Sequence, residues 1–119
     1  MNIQYCIDMA AKQPYVRKQS RHYAIVMDKK GRVVGEGTNE YFKSHPLSAK
    51  AGKAVGLPDK ICIHAELKAL LADRQRKGVK LIVARVDSKG QPAYSEPCLV
   101  CKHLLQTDFK HIKSIEFTI

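Results

Sequence analysis

His64-Ala65-Glu66 and, further along the chain, Pro97-Cys98-Leu99-Val100-Cys101 hold the residues best suited to chemistry. One imidazole and two thiols supply borderline and soft donors, a set that suits Zn²⁺. Three protein ligands leave the fourth tetrahedral position open, which marks a catalytic centre rather than a closed structural one. Glu66 adds a carboxyl that need not be a ligand. Each part alone has a plainer reading. A lone His64 is a structural histidine, a lone Glu66 a solvated helix residue, and Cys98-x-x-Cys101 a thioredoxin-like redox pair. Cys62, two residues before His64, would instead close a four-ligand structural site.

Apolar spacing predicts the elements that must hold these residues. Ile3 to Lys12 has helical spacing and stops short of Pro14. His22 to Met27 reads as a strand, Lys29-Lys30-Gly31 as a turn and Val33 to Thr38 as the return strand. Asn39 to Lys60 has no clear period and reads as a long loop, with room for a short helix over Leu47 to Val55. Ile63 to Lys77 predicts a helix with Leu67, Leu70 and Leu71 as its apolar stripe and Gly78 at its end. Leu81 to Val86 is an apolar strand buried on both faces, Lys89 to Pro92 a turn, and a further helix runs from Pro97 to about Thr107. Ile112 to Ile119 closes the series as a strand. Helices alternating with strands predict an α/β sandwich over a mixed sheet of about four strands, with parallel pairing across each strand–helix–strand connection. His64 would lie in the first turn of one helix, with Cys98 and Cys101 in the first turn of another. Helix N-termini carry partial positive charge, which favours thiolates.

With 119 residues, 45% hydrophobic and 27% charged, the chain reads as one soluble domain over 1–119. No run has signal-peptide character or membrane-spanning length, so a cytoplasmic protein without a membrane partner is expected. The four cysteines are then thiols, with Cys6 and Cys62 as small buried hydrophobes. A formal net charge of +10 draws anionic partners, either a nucleotide phosphate or a nucleic-acid backbone. Lys43, His45, Lys50, Lys53 and Lys60 of the long loop are candidate phosphate contacts; a solvated basic surface is the competing reading.

Through His64-x-Glu66 and Pro97-Cys98-x-x-Cys101, the chain resembles the zinc-dependent cytidine/deoxycytidylate deaminase superfamily. The resemblance implies a three-layer α/β/α sandwich and a Zn²⁺ ion on His64, Cys98 and Cys101. It also implies that Glu66 carries a proton from a zinc-activated water to N3 of the base while C4 is attacked and ammonia leaves. Asn39, Ala65, Glu96 and Pro97 would contact substrate, although Asn39 also reads as a turn residue. The implied reaction is C to U in a free nucleoside or nucleotide such as cytidine or dCMP, the phosphorylated form being preferred. Lys68 departs from the acidic or asparagine residue that deoxycytidylate deaminases often carry two places after the catalytic glutamate. The other readings are a deaminase of cytosine or adenine in single-stranded DNA or RNA, and a non-catalytic zinc-stabilised nucleic-acid-binding module. Such proteins are frequently oligomers, so a homo-oligomer is an expectation of the same kind.

Overall fold

The computed structural model describes residues 2–17, 20–57 and 62–119, and the side chains of 41–43 and 62–63 lie outside that description. The elements run α1 (Ile3–Ala11), β1 (Arg21–Asp28), β2 (Val33–Thr38), β3 (Glu40–Ser44), α2 (Pro46–Ala54), β4 (Cys62–Ile63), α3 (Ala65–Ala72), β5 (Gly78–Val86), β6 (Pro92–Ala93), α4 (Leu99–Gln106) and β7 (Ser114–Phe117). Among the described residues, no helix is long and apolar enough to cross a membrane.

β1 and β5 are the most apolar strands, and they lie side by side in the interior of a five-stranded mixed sheet. β2 flanks β1, while β6 and β7 follow one another along the far edge of β5. Side chains of a strand alternate between faces, so each central strand feeds two cores. Ala24, Val26, Leu81 and Val83 pack with Leu67, Leu70, Val100 and Leu104 of α3 and α4. Tyr23, Ile25, Ile82, Ala84 and Val86 pack on the other face against Cys6 and Ala10 of α1. Three layers result, as expected. Burial pushes the Cys6 thiol up to about 12, so it packs as a small apolar side chain.

The structure departs from the sequence expectations in several places. The sheet has five strands, because Pro92, expected as the last residue of a turn, joins Ala93 in pairing with Val86 and Arg85. The carboxylate of Asp87 accepts N–H bonds from Lys89 and Gln91 and closes that hairpin, while an edge position costs proline no ladder donor. The 39–60 segment is not one loop. β3 pairs antiparallel with β4, while the short helix given room over Leu47 to Val55 forms as α2, capped by His45 Nδ1 accepting from Leu47 N at 3.0 Å. α3 stops at Ala72 rather than Lys77, because Asp73 accepts from the N–H groups of Lys77 (3.1 Å) and Gly78 (2.8 Å) and turns the chain into β5. Gly78 therefore opens a strand instead of closing a helix. α4 begins at Leu99, two residues after Pro97, with Cys98 as its N-cap. β7 is shorter than 112–119: beyond Phe117, Thr118 N–H is shared between the Val83 carbonyl (3.2 Å) and Ser95 Oγ (2.9 Å), and its carbonyl accepts from Ser95 N (2.9 Å). Parallel pairing holds for β5 and β7 across α4, but β1 lies between β2 and β5 and is antiparallel to both.

α3 is pressed onto β2 at two glycines. A Cβ on Gly35 would stand 2.1 Å from the Ala69 carbonyl oxygen, and one on Gly37 would stand 2.6 Å from Lys68 Cβ. Gly35→Ala must push α3 off the sheet, since the obstacle is backbone. Its stability loss is expected at the upper end of the ~1–3 kcal/mol typical of overpacking, measured by urea unfolding. A neutral result would show that α3 has room to shift.

Candidate metal and active site

Two helix N-termini meet at the site. His64 is the N-cap of α3 and Cys98 the N-cap of α4, and neither side chain makes the usual capping bond. Their carbonyls still accept the first helical bonds, from Lys68 N (3.1 Å) and Lys102 N (2.8 Å). The imidazole and thiol are thus released from capping and turn toward each other. His64 Nδ1 lies 3.5 Å from Cys98 Sγ and 3.3 Å from Cys101 Sγ, and the three donor atoms lie within 4.8 Å of one another.

A tetrahedral zinc ion with ordinary Zn–N and Zn–S bonds separates N from S by about 3.6 Å and S from S by about 3.8 Å. The three donors therefore fit such an ion with small adjustments, and they are the only such metal-competent cluster among the described residues. The side chain of Cys62, the alternative fourth ligand, lies outside the described part of the structure.

Protons are shared unequally here. The Cys101 thiol donates to Cys98, and with His64 alongside this holds the Cys98 thiol down at about 3. Cys101 is held well above the ordinary thiol value by that same bond and by burial. One thiolate at neutral pH, with a second released on metal binding, is the state of a ligand set ready for a cation.

Glu66, at the second position of α3, is 5% exposed. Burial raises its carboxyl above the usual range, opposed by a bond from its own backbone N–H and by His64; it also contacts the Cys101 thiol. A carboxyl buried beside the donors and biased toward its protonated form is placed to hold or release a proton.

The other anticipated contacts are placed differently from one another. Ala65 is fully buried in the α3 core, and Pro97 is buried just ahead of Cys98. The Glu96 side chain is exposed and bound to Tyr94 Oη and to Lys102 Nζ at 2.8 Å. Asn39 braces the start of β1: its Oδ1 accepts from His22 N at 3.1 Å and its Nδ2 donates to the Ser20 carbonyl at 3.0 Å. One acceptor site and one N–H of the amide remain for a ligand. Lys68 is paired with Glu40 at 2.9 Å. Lys50 and Lys53 are exposed on α2, His45 is its cap, and Lys60 and the side chain of Lys43 lie outside the described part. His22, which sequence reading passed over as a strand residue, is half-buried at this end of the sheet. Burial, Arg85 and His64 hold its imidazole down at about 4.

No protein-family model matches the chain, and no curated protein matches its sequence. Solved structures do match. The cytidine deaminase from Mycobacterium tuberculosis is 23% identical, with a TM-score of 0.51 over 98% of this chain and 85% of that one. The cytidine deaminase from Mycobacterium leprae is 20% identical, with a TM-score of 0.53 over 95% and 82%. The chain has the cytidine deaminase fold.

The buried imidazole has a consequence for stability. Its folded value lies below the unfolded value near 6.5, so the unfolded chain binds the extra proton. The contribution is complete above about pH 6.5 and is lost as pH falls toward 4. Urea unfolding across this window should show an acid limb that is shallower in His22→Gln. Parallel curves for the two proteins would contradict a buried neutral His22.

Proposed function

We propose that the chain is a zinc-dependent hydrolytic deaminase acting on the cytosine base of a free nucleoside or nucleotide, with water replacing the amino group and ammonia leaving. The observation that carries this reading is the convergence of His64 Nδ1, Cys98 Sγ and Cys101 Sγ within 4.8 Å, beside the buried Glu66 carboxyl. The likeness to cytidine deaminase structures supports it at the level of fold.

When bound by these donors, zinc supplies the Lewis acidity that makes water nucleophilic near neutral pH. Glu66 takes the proton that water gives up and delivers it to N3 of the base, which makes C4 electrophilic. It then takes the proton of the hydroxyl newly formed on C4 and passes it to the departing amine, so that C4 becomes a carbonyl and ammonia leaves. Burial suits it to this traffic, because a carboxyl whose charged form is disfavoured returns to neutral readily. Asn39 has hydrogen-bonding capacity left for a sugar or base while it holds β1. Ala65 and Pro97, both buried, adjoin His64 and Cys98 in the chain and on this reading would border the bound base.

Glu66 also separates this reading from a zinc-stabilised binding module. Burying a carboxyl without need is costly, and a closed structural site has no use for one. Action on single-stranded DNA or RNA is favoured by the net charge of +10 and the exposed Lys50 and Lys53. Affinity for an oligonucleotide that falls steeply with salt would select that reading over a small substrate.

The purified protein is expected to bind one Zn²⁺ per chain, and Cys98→Ala or Cys101→Ala should lose the metal and fold less stably. Metal analysis finding zinc retained in both variants would move the ligand set elsewhere. Glu66→Gln keeps size and hydrogen bonding but cannot shuttle protons. It should retain zinc and substrate binding while ammonia release falls by at least the ~10²–10⁴-fold typical of general acid–base catalysis. Equal single-turnover rates for wild type and Glu66→Gln would sink the mechanism.

A further inference from the structure

His22 and Arg85 are cross-strand partners at the start of β1 and the end of β5. They continue the alternation of Ala24 and Val26 and of Leu81 and Val83, so both side chains leave the sheet on the face that carries α3 and α4. Arg85 Nη1 reaches the Tyr94 carbonyl at 3.4 Å, on the segment that leads into Cys98, and His64 and Cys98 are among the charges acting on His22. The pair therefore stands beside the metal-competent cluster.

Neither side chain is satisfied. His22 Nδ1 and Arg85 Nε are buried without a hydrogen-bond partner among the described residues. No described carboxylate pairs with Arg85. Arg21 shows what a structural arginine looks like at the same end of the sheet. Its guanidinium donates to the carbonyls of Ala11, Gln13 and Asp87 at 3.2, 3.1 and 2.6 Å. Arg85 has one long bond and keeps most of its five N–H donors. Arg85 also lines a groove of about 310 Å³ at this end of the sheet, with Tyr15, Ser20, Arg21, Asp87 and Ser88; the Asp87 carboxylate there is engaged by Lys89 N and Gln91 N.

We propose that Arg85, oriented by His22, is the anion-recognising residue of the substrate pocket, and that the substrate carries a phosphate. The proposal rests on the deaminase reading and narrows it to nucleotides. A planar guanidinium presents paired N–H groups that match phosphate oxygens, which a lysine cannot reproduce. A neutral His22 accepting Arg85 Nε–H at Nδ1 would satisfy both orphaned atoms and aim the terminal nitrogens outward. His22 is thus a positioning residue.

The test uses the zinc-loaded full chain with deoxycytidine and its 5′-monophosphate. Arg85→Gln should lower kcat/KM for the monophosphate by about tenfold or more, chiefly through KM, and change the nucleoside by less than about twofold. Arg85→Lys should recover part of the loss, and it carries the comparison if circular dichroism shows that Arg85→Gln fails to fold. His22→Gln should give a smaller loss confined to the monophosphate. Equal losses on both substrates, or none on either, overturn the proposal and leave the deaminase reading standing. Calorimetric titration separates the two questions. Tighter binding of the monophosphate than of the nucleoside, abolished in Arg85→Gln, supports the subsite even without turnover. Equal binding, or no binding of either, overturns it. Failure to release ammonia from both substrates overturns the deaminase reading instead.

Discussion

The close approach of α3 to β2 is the constraint on which the site depends. His64 and Glu66 sit on the first turn of that helix, and its depth on the sheet is set by backbone meeting backbone at Gly35 and Gly37. A side chain at either glycine would lift the helix. His64 Nδ1 would then leave two sulfurs that it meets at 3.5 and 3.3 Å. Three donors from two helices can converge only if both helices are held to within a few tenths of an ångström. The small residues Ala65 and Ala69, both fully buried, serve the same end on the helix side.

The chain ends of the central strands are secured by polar side chains rather than by more sheet. Asn39 takes the place of a neighbouring strand at the start of β1, bonding Ser20 and His22. At the end of β5, Thr118 Oγ1 accepts from Arg85 N at 3.2 Å, and Ser95 bonds both Thr118 and the Val83 carbonyl. Asp73 performs a similar task where α3 turns into β5. Buried backbone groups left without partners would each cost roughly 1–3 kcal/mol, so these side chains hold the frame around the pocket together. Ser95 is 5% exposed and Thr118 4%, which places the network inside the protein. It anchors the 94–98 segment and, through it, Cys98.

Electrostatics divides the pocket into two kinds of buried group. Glu66 and Cys101 are pushed toward their neutral forms by burial, while Cys98 is stabilised as a thiolate by Cys101 and His64. A proton can therefore move among neighbours without stranding two like charges. His22 is kept neutral, so the positive charge on this side of the pocket belongs to Arg85. Elsewhere the basic residues are spread over the surface: Lys29, Lys30 and Arg32 ring a turn held by Asp28, and Lys50 and Lys53 are exposed on α2.

The three candidate donors and Glu66 were legible in the sequence because each group is local. His64 and Glu66 share one helix start, Cys98 and Cys101 share another, and residue type and spacing over a few positions specify what such turns present. The apolar strands were legible for a similar reason, since β1 and β5 must be buried whatever surrounds them. Within the 39–60 segment the short helix was legible but β3 was not, because β3 exists only by pairing with β4, and neither strand has a period strong enough to announce itself. β6 was not legible either, because its two residues become a strand only against Arg85 and Val86. Likewise, nothing around His22 or Arg85 in the chain marks them; cross-strand register brings them together and leaves them unsatisfied. The amino-acid sequence alone determined the candidate donor set, the carboxyl beside it and the layering, because these follow from residue type at short spacing. Only the tertiary structure decided how deep α3 sits, which side chains secure the strand ends and which arginine is left open to a ligand, because those depend on contacts between residues far apart in the chain.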